Sequence, residues 1–128
     1  MVKTVSAEDF ANELVRMIKE YTEDVTQAIE KETESTANKV LQEAKNLAPK
    51  RTGEYARNFG KTKKKLSSGL ECYIWNKKHY SRVHLLEFGH AKVGGGRVAA
   101  RPHLRPAHDK YIDGYLNNIR QIIKKGGG

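Results

Sequence analysis

One long helical pattern near the start of the chain limits its possible folds more than any other feature. Ser6 stands where a helix cap belongs, and Glu8 and Asp9 follow in the first turn, where negative charge suits the helix dipole. Phe10, Leu14, Met17, Tyr21, Val25 and Ala28 then recur at spacings of three and four, a single helical stripe widened by Ile18 and Ile29. The stripe fades from Glu30 to Lys39 and returns as Val40, Leu41, Ala44 and Leu47. Pro49 ends the segment, because the residue before a proline is pushed out of helical space. Unbroken over residues 6–47, such a helix is about 60 Å long. A compact chain of 128 residues is only roughly 36 Å across. The helix therefore either bends in its polar stretch, near residues 30–38, or projects and finds a partner outside the monomer. A long helix and an external partner are expected.

Past Pro49 the period changes. Arg51-Thr52-Gly53 is a turn, Tyr55 to Lys65 reads as a strand with a basic end, and Ser67-Ser68-Gly69 is a second turn. Leu70, Cys72 and Ile74 alternate with Glu71, Tyr73 and Trp75, the period of a strand with one buried face. Residues 55–76 thus predict a β-hairpin. Tyr80 to Phe88 returns to helical spacing, with Gly89 as its C-terminal cap. The stretch around Gly94-Gly95-Gly96 offers nothing for a core and reads as a mobile loop. Pro102 and Pro106 orient a last helix that carries Tyr111, Ile112, Tyr115, Leu116, Ile119, Ile122 and Ile123 on one side.

The expected class is α+β: a long N-terminal helix, a small antiparallel sheet built on the hairpin, a short middle helix, and a C-terminal helix packed on the sheet. All of it fits one domain over residues 1–128. Within it, residues 1–48 are the acidic helix, 49–90 the hairpin and short helix, and 91–101 the mobile Gly-rich loop. Residues 102–125 are the C-terminal helix and 126–128 a flexible tail.

Charge divides the chain unevenly. Residues 1–48 hold six Lys or Arg against ten Asp or Glu, a net of −4, and the remainder holds eighteen against five, a net of +13. Such a division suits self-association between unlike faces, or a basic surface that meets a polyanion. No apolar run approaches the roughly 18 residues that span a bilayer, and the first residues lack a signal-peptide apolar core. The lone Cys72 can form no internal disulfide and supplies no Cys-rich zinc cage. A reduced, cytosolic setting without metal staples is expected.

Candidate chemistry is sparse. His84, Glu87 and His90 lie three apart, but Gly89 ends the helix between them, and His79, His103 and His108 are scattered over loops. A nucleolytic site on Asn76, His79 and His84 lacks the clustered carboxylates that would hold a metal. Gly94-Gly95-Gly96-Arg97 has no following Lys-Ser/Thr and is not a phosphate-binding loop. Cys72 sits in mid-strand without a base beside it and reads as a core residue. Neither a catalytic site, nor a cofactor, nor a metal is expected. The basic residues Lys61, Lys63, Lys64, Lys65, Arg97 and Arg101 could contact DNA or another polyanion, joined by Lys77, Lys78 and Arg82, with Tyr73 and Trp75 as stacking candidates. Alternating aromatics in a strand more often serve sheet packing, and no recognised nucleic-acid motif is present.

The order of three short motifs carries more information than any one of them. The long helix ends in Ala48-Pro49-Lys50-Arg51-Thr52-Gly53-Glu54-Tyr55. After the hairpin comes Tyr80 and then Leu86-Glu87-Phe88-Gly89-His90, and after the Gly-rich loop comes Arg101-Pro102-His103-Leu104-Arg105-Pro106-Ala107. This arrangement resembles the tailed-phage minor structural family variously called head–tail joining, neck or tail-completion proteins. Family members look like A-P-x-x-T-G-x-L, then Y-A-x-x-x-E-F-G-T, then P-x-x-F-x-x-P-A. Here Tyr55 replaces Leu, Ser81 replaces Ala, His90 replaces Thr, Leu104 replaces Phe, and the span from Tyr80 to Glu87 is longer than usual.

The resemblance implies scaffold roles for Pro49, Thr52, Gly53, Tyr80, Glu87, Phe88, Gly89, Pro102, Leu104, Pro106 and Ala107. Glu87, a carboxylate in an apolar helix, needs a partner, and Arg101 or Arg105 is the natural one. The resemblance further implies a non-enzymatic virion protein at the head–tail junction, made in the host cytoplasm. It would form a homo-oligomeric ring between the head connector and tail proteins; the charge division makes the acidic helix against the basic sheet of a neighbour the expected subunit contact. A basic nucleic-acid-binding module and a metal-dependent hydrolase are the alternatives.

Overall fold

The computed structural model describes residues 6–67 and 69–127. The expected turn at Ser67-Ser68-Gly69 thus falls partly outside them at Ser68, as does the last residue of the C-terminal tail. The chain begins with α1, Ala7–Leu47, one uninterrupted helix of 41 residues. Ser6 caps it by accepting from the Asp9 amide at 3.1 Å. No break occurs in the polar stretch over residues 30–38, and the reason lies in what that stretch faces.

It faces the hairpin. Strands β1, Phe59–Leu66, and β2, Gly69–Asn76, pair antiparallel with Lys61 opposite Ile74, Lys63 opposite Cys72 and Lys65 opposite Leu70. The lysines at alternate positions share one face of β1. Lys61 donates to Glu34 and Asn38, Lys63 to Glu34, and Lys65 to Glu30. Glu30, Glu34 and Asn38 recur every four residues, a rise of about 6 Å on a helix, while every second strand residue advances about 6.6 Å. The two repeats match, so a polar ladder binds helix to strand where the apolar stripe fades. The acidic helix therefore meets the basic sheet within one chain.

The segment expected as a strand from Tyr55 opens instead as a short helix α2, Glu54–Arg57. Helical spacing turns Tyr55 and Phe59 to the same side, where their rings meet edge to face with centroids 5.1 Å apart. With Ala48 and Ala56 they form the apolar centre, and Leu41, Ile74, Val83, Leu86 and Leu104 pack around it. Leu70, Cys72 and Ile74 face inward and Glu71, Tyr73 and Trp75 outward, as the alternation requires.

A single 3₁₀ turn at Tyr80–Arg82 leads into α3, Val83–Phe88, the expected middle helix. The Gly-rich segment expected as a loop carries a small hairpin, β3 at His90–Ala91 paired with β4 at Arg97–Val98. Gly89, at φ +72°, lies beneath it: a Cβ there would come within 2.6 Å of the Val98 carbonyl.

The last helix, α4, spans Leu104–Lys125. Its packing differs from expectation. It reaches the apolar centre at its first turn through Leu104 and otherwise runs antiparallel along α1 instead of on the sheet. Lys110 bonds Glu43, Tyr115 bonds Thr33, Asn118 bonds Glu32, and the Tyr21 hydroxyl donates to the Ile123 carbonyl. The inner face of the sheet carries lysines, which need the carboxylates of α1, so α1 serves as the common support for both. Gly126 and Gly127, expected as part of a flexible tail, close α4 against α1. Gly126 is left-handed, and the Gly127 amide donates to the Ile122 carbonyl at 2.9 Å.

Candidate assembly surfaces

The first motif is a turn that aims a tyrosine. Thr52 accepts the Glu54 amide on its hydroxyl, and Gly53 holds φ +77°, which only glycine adopts without strain. The turn sends Tyr55 inward and leaves Pro49 just beyond the cap residue Ala48.

The second and third motifs meet in one buried polar junction. Glu87, on α3, accepts the backbone amides of His103 at 2.6 Å and Leu104 at 2.7 Å, with that of Arg105 longer at 3.4 Å. Helix α4 has no acidic residue in its own first turn, so Glu87 supplies both its cap and the countercharge for its dipole. The partner expected for Glu87 was the guanidinium of Arg101 or Arg105. The structure corrects this: the backbone takes that role, and the Arg101 amide is used on the Leu86 carbonyl.

The fully buried His103 completes the junction. Its Nδ1 faces two acceptors, the Arg101 carbonyl at 2.9 Å and Glu87 at 3.0 Å, so it carries the proton, and the Tyr55 hydroxyl donates to Nε2 at 2.7 Å. Burial, with the charge of Glu87 nearby, pushes the Tyr55 hydroxyl up to about 12. Asn76, also fully buried, donates to the Tyr55 carbonyl and accepts the amides of Lys78 and His79. Neither the Tyr55–His103 bond nor the role of Asn76 was legible in the sequence; an asparagine closing an alternating strand was the only signal.

Of the other motif residues, Ala107 is buried, Leu104 is half-buried, and Pro106 falls in the first turn of α4. Pro102 lies in the extended approach to that helix. Tyr80 and Phe88 behave differently. They are 70% and 72% exposed and support nothing in this chain's core.

The expected polyanion contacts are split. Lys61, Lys63 and Lys65 are turned to the acids of α1, and the ammonium groups of Lys63 and Lys61 hold the Glu34 carboxyl below the usual range. Lys64 is on the other face of β1, opposite Glu71. Arg97 donates to the Phe88 carbonyl. Tyr73 and Trp75 stand on the outer face of the hairpin, where the Trp75 indole donates to Thr62 at 2.8 Å.

The His84–Glu87–His90 set is not a ligand group, since the Glu87 carboxylate is committed to α4. Among the described residues no cluster of three or more His, Cys, Asp or Glu is placed to hold a metal, and no helix is long and apolar enough to cross a membrane. Cys72 is half-buried, and burial pushes its thiol up.

What the molecule offers instead is surface. Among the described residues the buried hydrophobic ones are five alanines with Tyr55 and Phe59. Every residue from Ser6 to Asp24 is exposed, including Phe10, Leu14, Met17, Ile18 and Tyr21 of the sequence stripe. Tyr21 lies against Gly126 at the end of α4, so the stripe runs on past the end of its cover. The chain exposes 9584 Å², whereas a compact monomer of 14.5 kDa exposes roughly 6,900 Å².

The fold is α+β, with a polar junction in its interior and many of its large apolar side chains on its outside. The sequence model of the family described as "Bacteriophage HK97-gp10, putative tail-component" matches residues 12–89. The chain belongs to this HK97-gp10-like family of phage tail components. The matched span holds the first motif and the second as far as Gly89, and stops before the third. No curated protein sequence and no solved structure matches the chain.

Proposed function

We propose that this chain is a non-enzymatic structural protein of the head–tail interface, a neck or tail-completion component of a long-tailed phage. It acts by assembling into a homo-oligomer, a ring in the virion, and by docking to the head connector on one side and tail proteins on the other. One observation carries the reading: Phe10, Leu14, Ile18, Tyr80 and Phe88 stand in solvent while the fully buried apolar side chains among the described residues are alanines beside Tyr55 and Phe59. Side chains of that size are stable outside a core when another molecule covers them. Membership of a phage tail-component family supports the virion setting.

The non-enzymatic reading is supported by the commitment of Glu87, His103, Tyr55 and Asn76, the buried polar groups, to one another and to backbone. Lys64, Arg97 and Arg101 are the cations that would touch passing DNA, weakly and without regard to sequence. Deleting the gene from its phage is the test. Filled heads beside unattached tails in the lysate are expected; normally joined particles would overturn the reading.

The alternative of a basic nucleic-acid-binding module draws on one observation, the excess of cations over residues 77–108. A shift assay with random DNA and RNA, run beside sedimentation at rising concentration, separates the two. Sub-micromolar RNA affinity from a strict monomer would favour the alternative.

A further inference from the structure

The two uncovered apolar surfaces of this chain carry opposite charge. The first is the end of α1 that extends past α4, where residues 7–20 hold four acids against Arg16 and Lys19. Arg16 is already paired with Glu13 and Glu20 on the polar side of the helix. The second is a groove of about 470 Å³ between α3 and the start of α4, whose lining includes Tyr80, Val83, Phe88 and Leu104 together with Glu87 and Arg105. Residues 77–108 around it hold seven Lys or Arg and all five histidines of the chain, and their one acid is the buried Glu87.

We infer that the free end of α1 in one copy lies in the α3–α4 groove of the next. The inference rests on the assembly reading above and names the contact that would build the oligomer. Charge selects this pairing over the alternatives. Two α1 ends packed on each other would bring a net of −2 against −2, and two grooves would oppose cation to cation. Only the unlike pair gains from both burial and charge.

Area gives a second argument. The chain exposes about 2,700 Å² more than a compact monomer of its mass, and a standard interface removes roughly 800 Å² from each partner. One donated helix end and one occupied groove per copy fit within that excess. A contact between two different patches is heterologous, so it propagates and closes into a ring when the rotation allows.

The test uses the full-length chain with Ile18→Asp on the helix and Phe88→Asp on the groove, both at exposed positions, with circular dichroism to verify that each variant keeps its helix content and melting behaviour. The unsubstituted chain is expected to self-associate with rising concentration in sedimentation velocity, and each single variant to lose that association. An equimolar mixture of the two retains one intact contact, so it is expected to form one-to-one dimers and nothing larger. Three results would overturn the inference: a parent chain that is monomeric at every concentration, an F88D chain that associates like the parent, or a mixture that stays monomeric. The readout is separate from the virion role. A chain that never self-associates yet restores tail joining when supplied to the deletion phage would sink this contact and leave the head–tail reading standing.

Discussion

Glu87 and His103 sit sixteen residues apart and meet twice, once through the His103 amide at 2.6 Å and once through its ring at 3.0 Å. The pair explains why two motifs separated by a Gly-rich hairpin belong together. One supplies the carboxylate, and the other supplies the helix start that needs it. Replacing Glu87 by Ala leaves the amides of His103 and Leu104 buried without an acceptor. The expected cost is about 2–4 kcal/mol in denaturant unfolding, with Glu87→Gln losing roughly half as much because its carbonyl still accepts one amide.

Tyr55 gives the fold a sensitivity to alkali. Its hydroxyl ionises near 10 in an unfolded chain and near 12 here. A raised value means that the folded state holds the proton more tightly. The contribution is therefore whole below pH 10 and is lost as pH rises toward 12. Stability of the parent should fall more steeply over that interval than stability of Tyr55→Phe, measured by urea midpoints at each pH. At neutral pH the same variant is expected to lose about 1–2 kcal/mol, since His103 Nε2 is left without a donor.

Two glycines should answer oppositely to alanine. Gly89 combines φ +72° with a carbonyl 2.6 Å from any added Cβ, so Gly89→Ala is expected to cost about 2–4 kcal/mol. Gly114 lies in mid-helix on α4 with open space around it, and Gly114→Ala is expected to gain about 0.5–1 kcal/mol. Thermal melts of the two variants beside the parent decide both.

DNA binding, if it is the weak electrostatic kind proposed, should fade steeply between low and moderate salt. Removing Lys64, Arg97 and Arg101 one at a time is expected to flatten the salt slope by about 0.9 for each phosphate no longer neutralised. Lys61→Ala should change it less, because that ammonium is engaged by Glu34 and Asn38. Binding that resists salt would count against the proposal.

Much of the fold was legible because its signals are local. The Ser6 cap, the stripe from Phe10 to Ala28, the alternation through Leu70, Cys72 and Ile74, and Gly89 after α3 each announce an element within a few residues. What escaped depends on distant pairing. Helix α2 replaces the start of a strand because Tyr55 and Phe59 must reach the same core, which no window around Tyr55 reveals. The lysines of β1 look like a nucleic-acid surface until Glu30 and Glu34 are seen opposite them. The uncovered state of Tyr80 and Phe88 was hidden for the same reason, since a family motif marks which residues matter but not which way they point.

The ladder between Glu30, Glu34, Asn38 and the lysines of β1 also sets where the molecule gives way first. Near Phe59 the hairpin is held by packed rings and a buried asparagine, but toward Leu66 ion pairs open to water, each worth little, take a larger share beside half-buried Leu70. Amide exchange should therefore quicken along β1 from its base to its tip, and sooner in high salt. The tip is the part of the hairpin that can peel from its helix without unfolding the rest, so a neighbour pressing there would meet a compliant edge on a rigid stem.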